Sequence, residues 1–217
     1  NLVTSYEDLD SLVPFVESLV DEFPEITSVV NNINTRKADV SFGEREILLF
    51  GKPILKEKLK DLTFQISANS FFQTNSHMAE KLYEVILDSA KLKGDEVVYD
   101  LYCGAGSISL FLAQKAKFVY GFDIIVSSIE NAEQNAIINK IENIDFNVAN
   151  LDSYFQSHKS NKYPNPDIVI VDPPRAGMHK KMTEYLPELG AKKIIYVSCN
   201  PSTQARDTQI LQSHNYE

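Results

Sequence analysis

Cysteine is scarce in this chain. There are two, Cys103 and Cys199, and neither sits in a CxxC pair or a Cys/His cluster. That spacing gives no support for a metal site, so none is expected. A disulfide between them is disfavoured in a reducing compartment. No apolar run approaches the ~18 residues of a membrane-crossing helix. The first residues, NLVTSYEDLD, lack a basic region followed by an apolar core, so no signal peptide is read and a cytoplasmic location is expected. The chain opens abruptly on Leu2-Val3, as a cut in a longer protein would. Positive charge is in deficit: 21 Lys and Arg face 30 Asp and Glu, a net charge of −9. This argues against gripping nucleic acid with the whole surface and leaves room for a local basic patch. Repeats and low-complexity segments are also lacking. The composition, 43 % hydrophobic and 24 % charged, is that of a folded domain with a real core.

Two rhythms divide the sequence. In DLDSLVPFVESLVDE (8–22), apolar residues recur at helical spacing, with Pro14 constraining the helix near its first turn. Short β-like runs follow: ITSVVNNI (26–33), KADVSF (37–42), REILLF (45–50) and DLTFQIS (61–67). Gly43, Gly51 and Pro53 punctuate them, giving part of a small α+β unit over residues 1–70. SHMAEKLYEVILDSAKLK (76–93) then reads as an amphipathic helix capped by Asn75 or Ser76. After Gly94, apolar strands alternate with helices. The strands are EVVYDLY (96–102), FVYGF (118–122), IDFNVA (144–149), DIVIVD (167–172) and KIIYVS (193–198). The helices lie near 107–116, 125–138, 179–189 and 202–212. This is the pattern of βαβ units and an open, mostly parallel α/β sheet over residues 71–217. Ligands in such sheets bind beyond the carboxyl ends of the strands.

Each strand end carries a candidate. DLYCGAGSISL (100–110) follows the first strand, and Gly104 and Gly106 permit a tight turn with close backbone approach of a ligand. Ser109 stands where a dinucleotide fingerprint needs its third glycine, so Asp-x-x-x-Gly-x-Gly is nearer the pattern of S-adenosylmethionine (SAM) enzymes. The plain alternative is a turn with two permissive glycines. Asp123 ends the second strand 17 positions after Gly106, where an acid can accept from ribose hydroxyls or cap the next helix. Asn150 or Asp152 can reach an adenine after the third strand, or cap a short helix. After the fourth, VDPPRAG (171–177) holds Asp172 and Arg175 on a proline-stiffened loop; Asp172 suits a cofactor or a base, Arg175 a phosphate. After the fifth comes YVSCNPSTQARD (196–207). Cys199 there is either a buried structural thiol or a nucleophile near a helix N-terminus, where backbone N–H groups favour thiolate. Cys103, inside the glycine turn, fits the structural role. In FFQTN (71–75), Gln73 offers both a donor and an acceptor, while Phe71 or Phe72 can staple the following helix.

Taken together, FFQTN, DLYCGAGSISL, VDPPRAG and YVSCNPSTQARD, in this order, resemble the SAM-dependent RNA uracil-C5 methyltransferases, which make 5-methyluridine in tRNA or ribosomal RNA. The resemblance runs from about residue 71 to the end and implies a Rossmann-like methyltransferase domain, C-terminally truncated, after the tail of a central domain. It implies Cys199 as the nucleophile. It puts Gln73, Tyr102, Gly104, Gly106, Ser107, Asp123, Asn150 and Asp172 around SAM, and its product S-adenosylhomocysteine. Asp172, Arg175 and Asn200 would face the RNA substrate. Family members more often carry Glu where this chain has Asp123. The family's catalytic base, a Glu in a His-x-Glu-type motif, would lie beyond SHNYE, and Glu217 does not match it. An RNA-binding barrel and iron–sulfur cysteines are absent from the sequence. The expectation is therefore a catalytic piece that binds SAM and turns over poorly alone. Arg175, Lys180, Lys181, Lys192, Lys193 and Arg206, among Glu184 and Glu188, are either a modest basic rim for local RNA contact or an ordinary solvated surface. Two rival readings stand beside it. One is an amino-group SAM methyltransferase, which would favour Asn-Pro-Pro-aromatic and need no cysteine. The other is a SAM-fold fragment that only docks RNA.

Overall fold

A computed structural model describes residues 1–35, 44–151, 163–214 and 216. The expected strand 37–42, Asp152 and Glu217 lie outside the described residues. The chain divides into two compact units, residues 1–57 with 65–71, and residues 58–64 with 72–217.

In the first unit, β1 (Leu2–Thr4) runs parallel to β2 (Ser28–Ile33), and β2 pairs antiparallel with β3 (Arg45–Gly51). β2 is buried from Val29 to Ile33, including Asn31 and Asn32. The Asn31 amide is bonded locally, whereas Asn32 keeps one partner at Nδ2 and its Oδ1 is buried without one. Asn31 Nδ2 donates to Leu2 O and Thr4 Oγ1, and Asn32 Nδ2 donates to Asn1 Oδ1. Helix α1 (Leu9–Glu22) is capped by Asp8, whose carboxylate accepts from Ser11 N; Pro14 falls inside the helix and Val16 is its buried residue. β4 (Ile54–Leu59) and β5 (Leu62–Ser67) form a two-stranded sheet that turns at Lys60, φ 51°. β4 was not foreseen, because ILKEKL carries three charges in a row and buries little besides Leu59.

The second unit is built on five parallel strands in the order β10-β9-β6-β7-β8. They are β6 (Val97–Leu101), β7 (Phe118–Asp123), β8 (Ile144–Val148), β9 (Ile168–Val171) and β10 (Lys193–Tyr196). β6 and β9 are buried at every position, as expected of interior strands covered on both faces. The helices are α2 (Ser76–Ala90), α3 (Ser107–Ala113), α4 (Val126–Ile138), α5 (Lys180–Tyr185) and α6 (Pro201–Gln212). Asn75 caps α2 by accepting from Met78 N, and Ala79, Tyr83, Ile86 and Ala90 form its buried face. The C-terminal carbonyls of α2 receive Lys193 Nζ at Ser89 O (2.8 Å) and Ala90 O (3.0 Å), a cation where the helix dipole favours one. The helix expected over 179–189 is divided. α5 gives way to a 3₁₀ turn, Leu186–Leu189, because Pro187 lacks the N–H that would continue it. No helix among the described residues is long and apolar enough to cross a membrane.

Sheet and turn meet at Gly121 in β7. A Cβ there would lie 2.5 Å from Phe146 Cδ1 and 3.1 Å from Cys103 Sγ. Gly121→Ala should therefore lower stability by roughly 1–3 kcal/mol, the usual cost of overpacking a core. Thermal denaturation checks this, and an unchanged melting temperature would refute it.

Candidate functional site

The strand order reverses direction between β6 and β9. The chain leaves β6 toward one side of the sheet and β9 toward the other, which opens a crevice at their carboxyl ends. Two carboxylates sit there, Asp100 in β6 and Asp172 just after β9, where Asp172 N donates to Leu101 O at 3.4 Å. Asp100 is 1 % exposed. Its Oδ2 accepts a short hydrogen bond from Ser109 Oγ, while its Oδ1 is buried without a partner. Burial pushes the Asp100 carboxyl up to about 7 against the pull of the Ser109 bond, and the charges of Asp172 and Asp123 add to the rise. Burial likewise pushes Asp172 up to about 6.

The glycine turn lies over this pair. Tyr102, Gly104 and Gly106 all take positive φ (67°, 53° and 80°), so three left-handed residues make the turn within five positions. Gly106 has no room for a side chain, since a Cβ would meet Phe146 at 2.8 Å and Ala132 at 3.0 Å. Asn135, buried in α4, donates to Ala105 O, and Asp123 accepts from Gly104 N at 2.9 Å and from Ile125 N at 2.9 Å. Asp123 thus braces the turn with one oxygen and starts the next loop with the other. Ser107 opens α3 and its Oγ receives the Tyr83 hydroxyl at 2.9 Å. Tyr83 itself is buried, its ring packs on Phe111, and burial first, with Asp172 and Asp100 helping, raises its hydroxyl to about 12. Gln73 lies half-buried just before α2, and Asn150 is exposed two residues beyond β8.

Cys199 is exposed and Cys103 buried; both are free thiols. Burial drives the Cys103 thiol well above its ordinary range, so it is chemically quiet. Cys199 stands immediately before Asn200, the N-cap of α6. The expected N–H groups near its sulfur are fewer than a bare helix end offers: Pro201 has none, and Ser202 N is taken by Asn200 Oδ1 at 3.1 Å. The Cys199 and Asp172 loops are bonded to each other. Asn200 Nδ2 donates to Arg175 O at 3.1 Å and Thr203 Oγ1 to the same carbonyl at 3.4 Å.

The six cations weighed as a basic rim do not form one. Lys192 and Lys193 sit at the amino end of β10, opposite Cys199, and are engaged by Asp167 and by the end of α2. Lys180 pairs with Glu184 at 3.6 Å. Arg206, though exposed, is engaged by Asp207 at 2.7 Å and by the carbonyls of Ala176 and Met178. Arg175 is exposed beside the site. Sequence reasoning also missed Asp100, Tyr83 and Asp207. Asp100 opens the motif already singled out, and Tyr83 is in phase with Ala79, Ile86 and Ala90; both signals were present. No group of three or more His, Cys, Asp or Glu able to hold a metal occurs among the described residues.

An open parallel sheet with a left-handed glycine turn and acids at its carboxyl edge is the Rossmann-like architecture of SAM-dependent methyltransferases. Comparison with known proteins narrows the class. The model of the tRNA (uracil-5-)-methyltransferase family matches residues 28–216, and the chain belongs to that family. It is 42 % identical over 202 residues to an uncharacterised RNA methyltransferase of Oceanobacillus iheyensis, covering 93 % of this chain and 44 % of that protein. A similar protein of Staphylococcus aureus is 44 % identical over 196 residues, covering 90 % and 43 %. The chain thus spans a little under half the length of these relatives. Among solved structures, the tRNA (uracil-54, C5)-methyltransferase of Pyrococcus abyssi, in complex with S-adenosyl-L-homocysteine, is 37 % identical with a TM-score of 0.68, covering 88 % of this chain and 46 % of that one.

The raised carboxyls have a thermodynamic consequence. Folded Asp100 keeps its proton up to about 7, whereas an unfolded Asp loses it near 3.9. The native state therefore binds more protons in that window, and this contribution to stability is lost as pH rises through the folded value. Asp100→Asn, which keeps an acceptor for Ser109 and carries no charge, should gain melting temperature relative to wild type between about pH 5 and pH 8. A wild-type-to-variant difference independent of pH would contradict the assignment.

Proposed function

We propose that this chain is the catalytic portion of an RNA uracil-C5 methyltransferase, using SAM to methylate C5 of a uridine in tRNA or ribosomal RNA through a covalent bond from Cys199 to C6. The observation that carries this reading is the exposed Cys199, held by the Asn200 and Thr203 bonds beside the loop of Asp172 and Arg175. Family membership and the uracil-54 enzyme of P. abyssi support the choice of uridine.

The residues at the crevice suit the cofactor. SAM supplies an electrophilic methyl group on a sulfonium, and its sulfonium and ammonium cations match a site rich in carboxylates. Asp100 offers an unpartnered buried oxygen, and each Asp123 oxygen keeps a lone pair beyond its backbone bond. In this reading Gln73, Tyr102, Gly104, Gly106, Ser107, Asp123, Asn150 and Asp172 hold the cofactor. Ser107 Oγ, already accepting from Tyr83, keeps its own hydrogen to donate.

The chemistry follows from uracil itself. C5 is too weak a nucleophile to take a methyl group unaided. Addition of the Cys199 thiolate to C6 moves the electron pair into an enolate and makes C5 nucleophilic. Asp172, pushed up to about 6 by burial, has a neutral form able to donate a hydrogen bond toward that enolate oxygen. C5 would then take the methyl carbon as its bond to the sulfonium sulfur breaks and S-adenosylhomocysteine leaves; a base takes the C5 proton, and the pair left behind expels the thiolate. Arg175 and Asn200 face the RNA, with Arg175 suited to a phosphate. A target within a duplex would have to leave its stack to reach Cys199. An amino-group transferase has no use for a thiol at this position.

The test is incubation with SAM and short RNAs carrying 5-fluorouridine, read by intact mass. Fluorine replaces the proton that must leave, so a methylated protein–RNA adduct should accumulate and map to Cys199. Cys199→Ser should abolish it while leaving SAM binding within about twofold, since the residue makes no cofactor contact in this reading. An adduct that survives in Cys199→Ser would exclude the mechanism.

A further inference from the structure

The last hydrogen bond of the β9–β10 edge runs from Val197 N to Val171 O at 2.8 Å. Beyond it, no β9–β10 ladder bond joins the loops of Asp172 and Cys199, although Asp172 N still reaches Leu101 O at 3.4 Å and Asn200 and Thr203 donate to Arg175 O. A second brace comes from the end of the motif SCNPSTQARD, to which the reaction gives no role. Asp207, in α6, is 1 % exposed, and its carboxylate serves three elements at once. Oδ2 accepts from Met178 N at 2.8 Å, at the far end of the Asp172 loop. The same oxygen accepts from the Tyr196 hydroxyl at 2.7 Å, at the last residue of β10 before the Cys199 loop. Oδ1 accepts from Arg206 Nε at 2.8 Å, and Arg206 Nη2 passes on to Ala176 O (3.0 Å) and Met178 O (3.2 Å). Gly177 completes the fit. Its φ is +78°, and a Cβ would lie 2.7 Å from Asp207 Oδ2 and 2.6 Å from Arg206 Nη2, so the loop backbone rests directly on the pair.

A buried carboxylate with an adjacent guanidinium is expensive to desolvate and is a poor device for stability alone. It is a good device for geometry, because charge-assisted bonds are short and directional. We propose that Asp207, with Arg206, is a positioning residue that sets the separation between the Cys199 loop and the Asp172 loop for thiolate addition to the uracil. The inference rests on the uracil-C5 reading. In that reaction Sγ must meet C6 while Asp172 faces the same ring, and small displacements are costly in rate.

The test uses the full-length protein, SAM and the 5-fluorouridine RNA, and compares wild type with Asp207→Asn and Tyr196→Phe. Three quantities are read: the rate of adduct formation per folded molecule, well below each melting temperature; the SAM dissociation constant; and the melting temperature. Asp207→Asn should slow adduct formation about 10–100-fold with SAM affinity unchanged, the signature of misplaced reacting groups. Tyr196→Phe, which removes one hydroxyl, should slow it less and in the same direction. A merely structural Asp207 would lower the melting temperature and leave the rate per folded molecule at the wild-type value, which overturns the proposal. Should Asp207→Asn not fold, Tyr196→Phe decides: a wild-type rate overturns the positioning role, and a slowed rate at unchanged SAM affinity sustains it. Failure of wild type itself to form any adduct while binding SAM would instead overturn the uracil-C5 reading, and this inference with it.

Discussion

Parallel pairing of β6 with β9 brings together chain segments nearly seventy residues apart, Val98 opposite Ile168 and Leu101 opposite Val171. The two crevice carboxyls and the glycine turn take their places from that register. The glycine turn and Asp100 come from one strand and Asp172 from the other, with Asp100 fully buried and Asp172 half-buried at the strand ends. Apolar sequence drives the pairing, since VVYDL and IVIV bury every side chain. The cost falls on Asp100, whose Oδ1 finds no partner inside the protein. A fold that leaves a carboxylate oxygen dry and unpaired at the edge of a crevice carries strain that a cationic ligand would relieve.

The alternation of strand and helix after Gly94 was legible because each strand is a short apolar run bounded by polar or glycine residues. The helix expected over 76–93 was legible from its amphipathic spacing, and the structure ends it at Ala90 and decides its cap, left open between Asn75 and Ser76, for Asn75. ILKEKL was not, because its charged residues give no apolar alternation to read. The division of the 179–189 helix at Pro187 was available in the sequence, where the apolar spacing of its neighbours outweighed it. At the site, the motifs gave the residue types and their order along the chain. They gave no pairing between motifs. Asp207 and Met178 are 29 positions apart, and Asn200 and Arg175 are 25 apart. A sequence shows that an Arg-Asp pair is present; only the folded chain shows whether it faces solvent or braces a loop. Arg206 is indeed exposed, but its pairing with buried Asp207 could not be read from the sequence.

The electrostatics of the second unit follow a consistent division. Cations engaged at the amino ends of the strands, Lys192 on Asp167 and Lys193 on the end of α2, serve the scaffold. Acids gather at the carboxyl ends. This polarity suits a small cationic ligand in the crevice and makes the bulk surface a poor attractor of polyanions. Under the proposed function, RNA contact at this unit would be local and geometric rather than carried by its overall field.

The two thiols also make the chain a gauge of its own integrity. Cys199 lies in the open and Cys103 beneath the glycine turn, packed where Gly121 and Phe146 leave no space. A small alkylating reagent meets one sulfur in the folded molecule and two once β6 and β7 separate. Because Cys103 N is bonded to Phe122 O at 3.0 Å, the second sulfur cannot appear without breaking the central sheet's own hydrogen bonding at the crevice. The stoichiometry of modification therefore counts intact sites, with no tryptophan needed to report the state of the core.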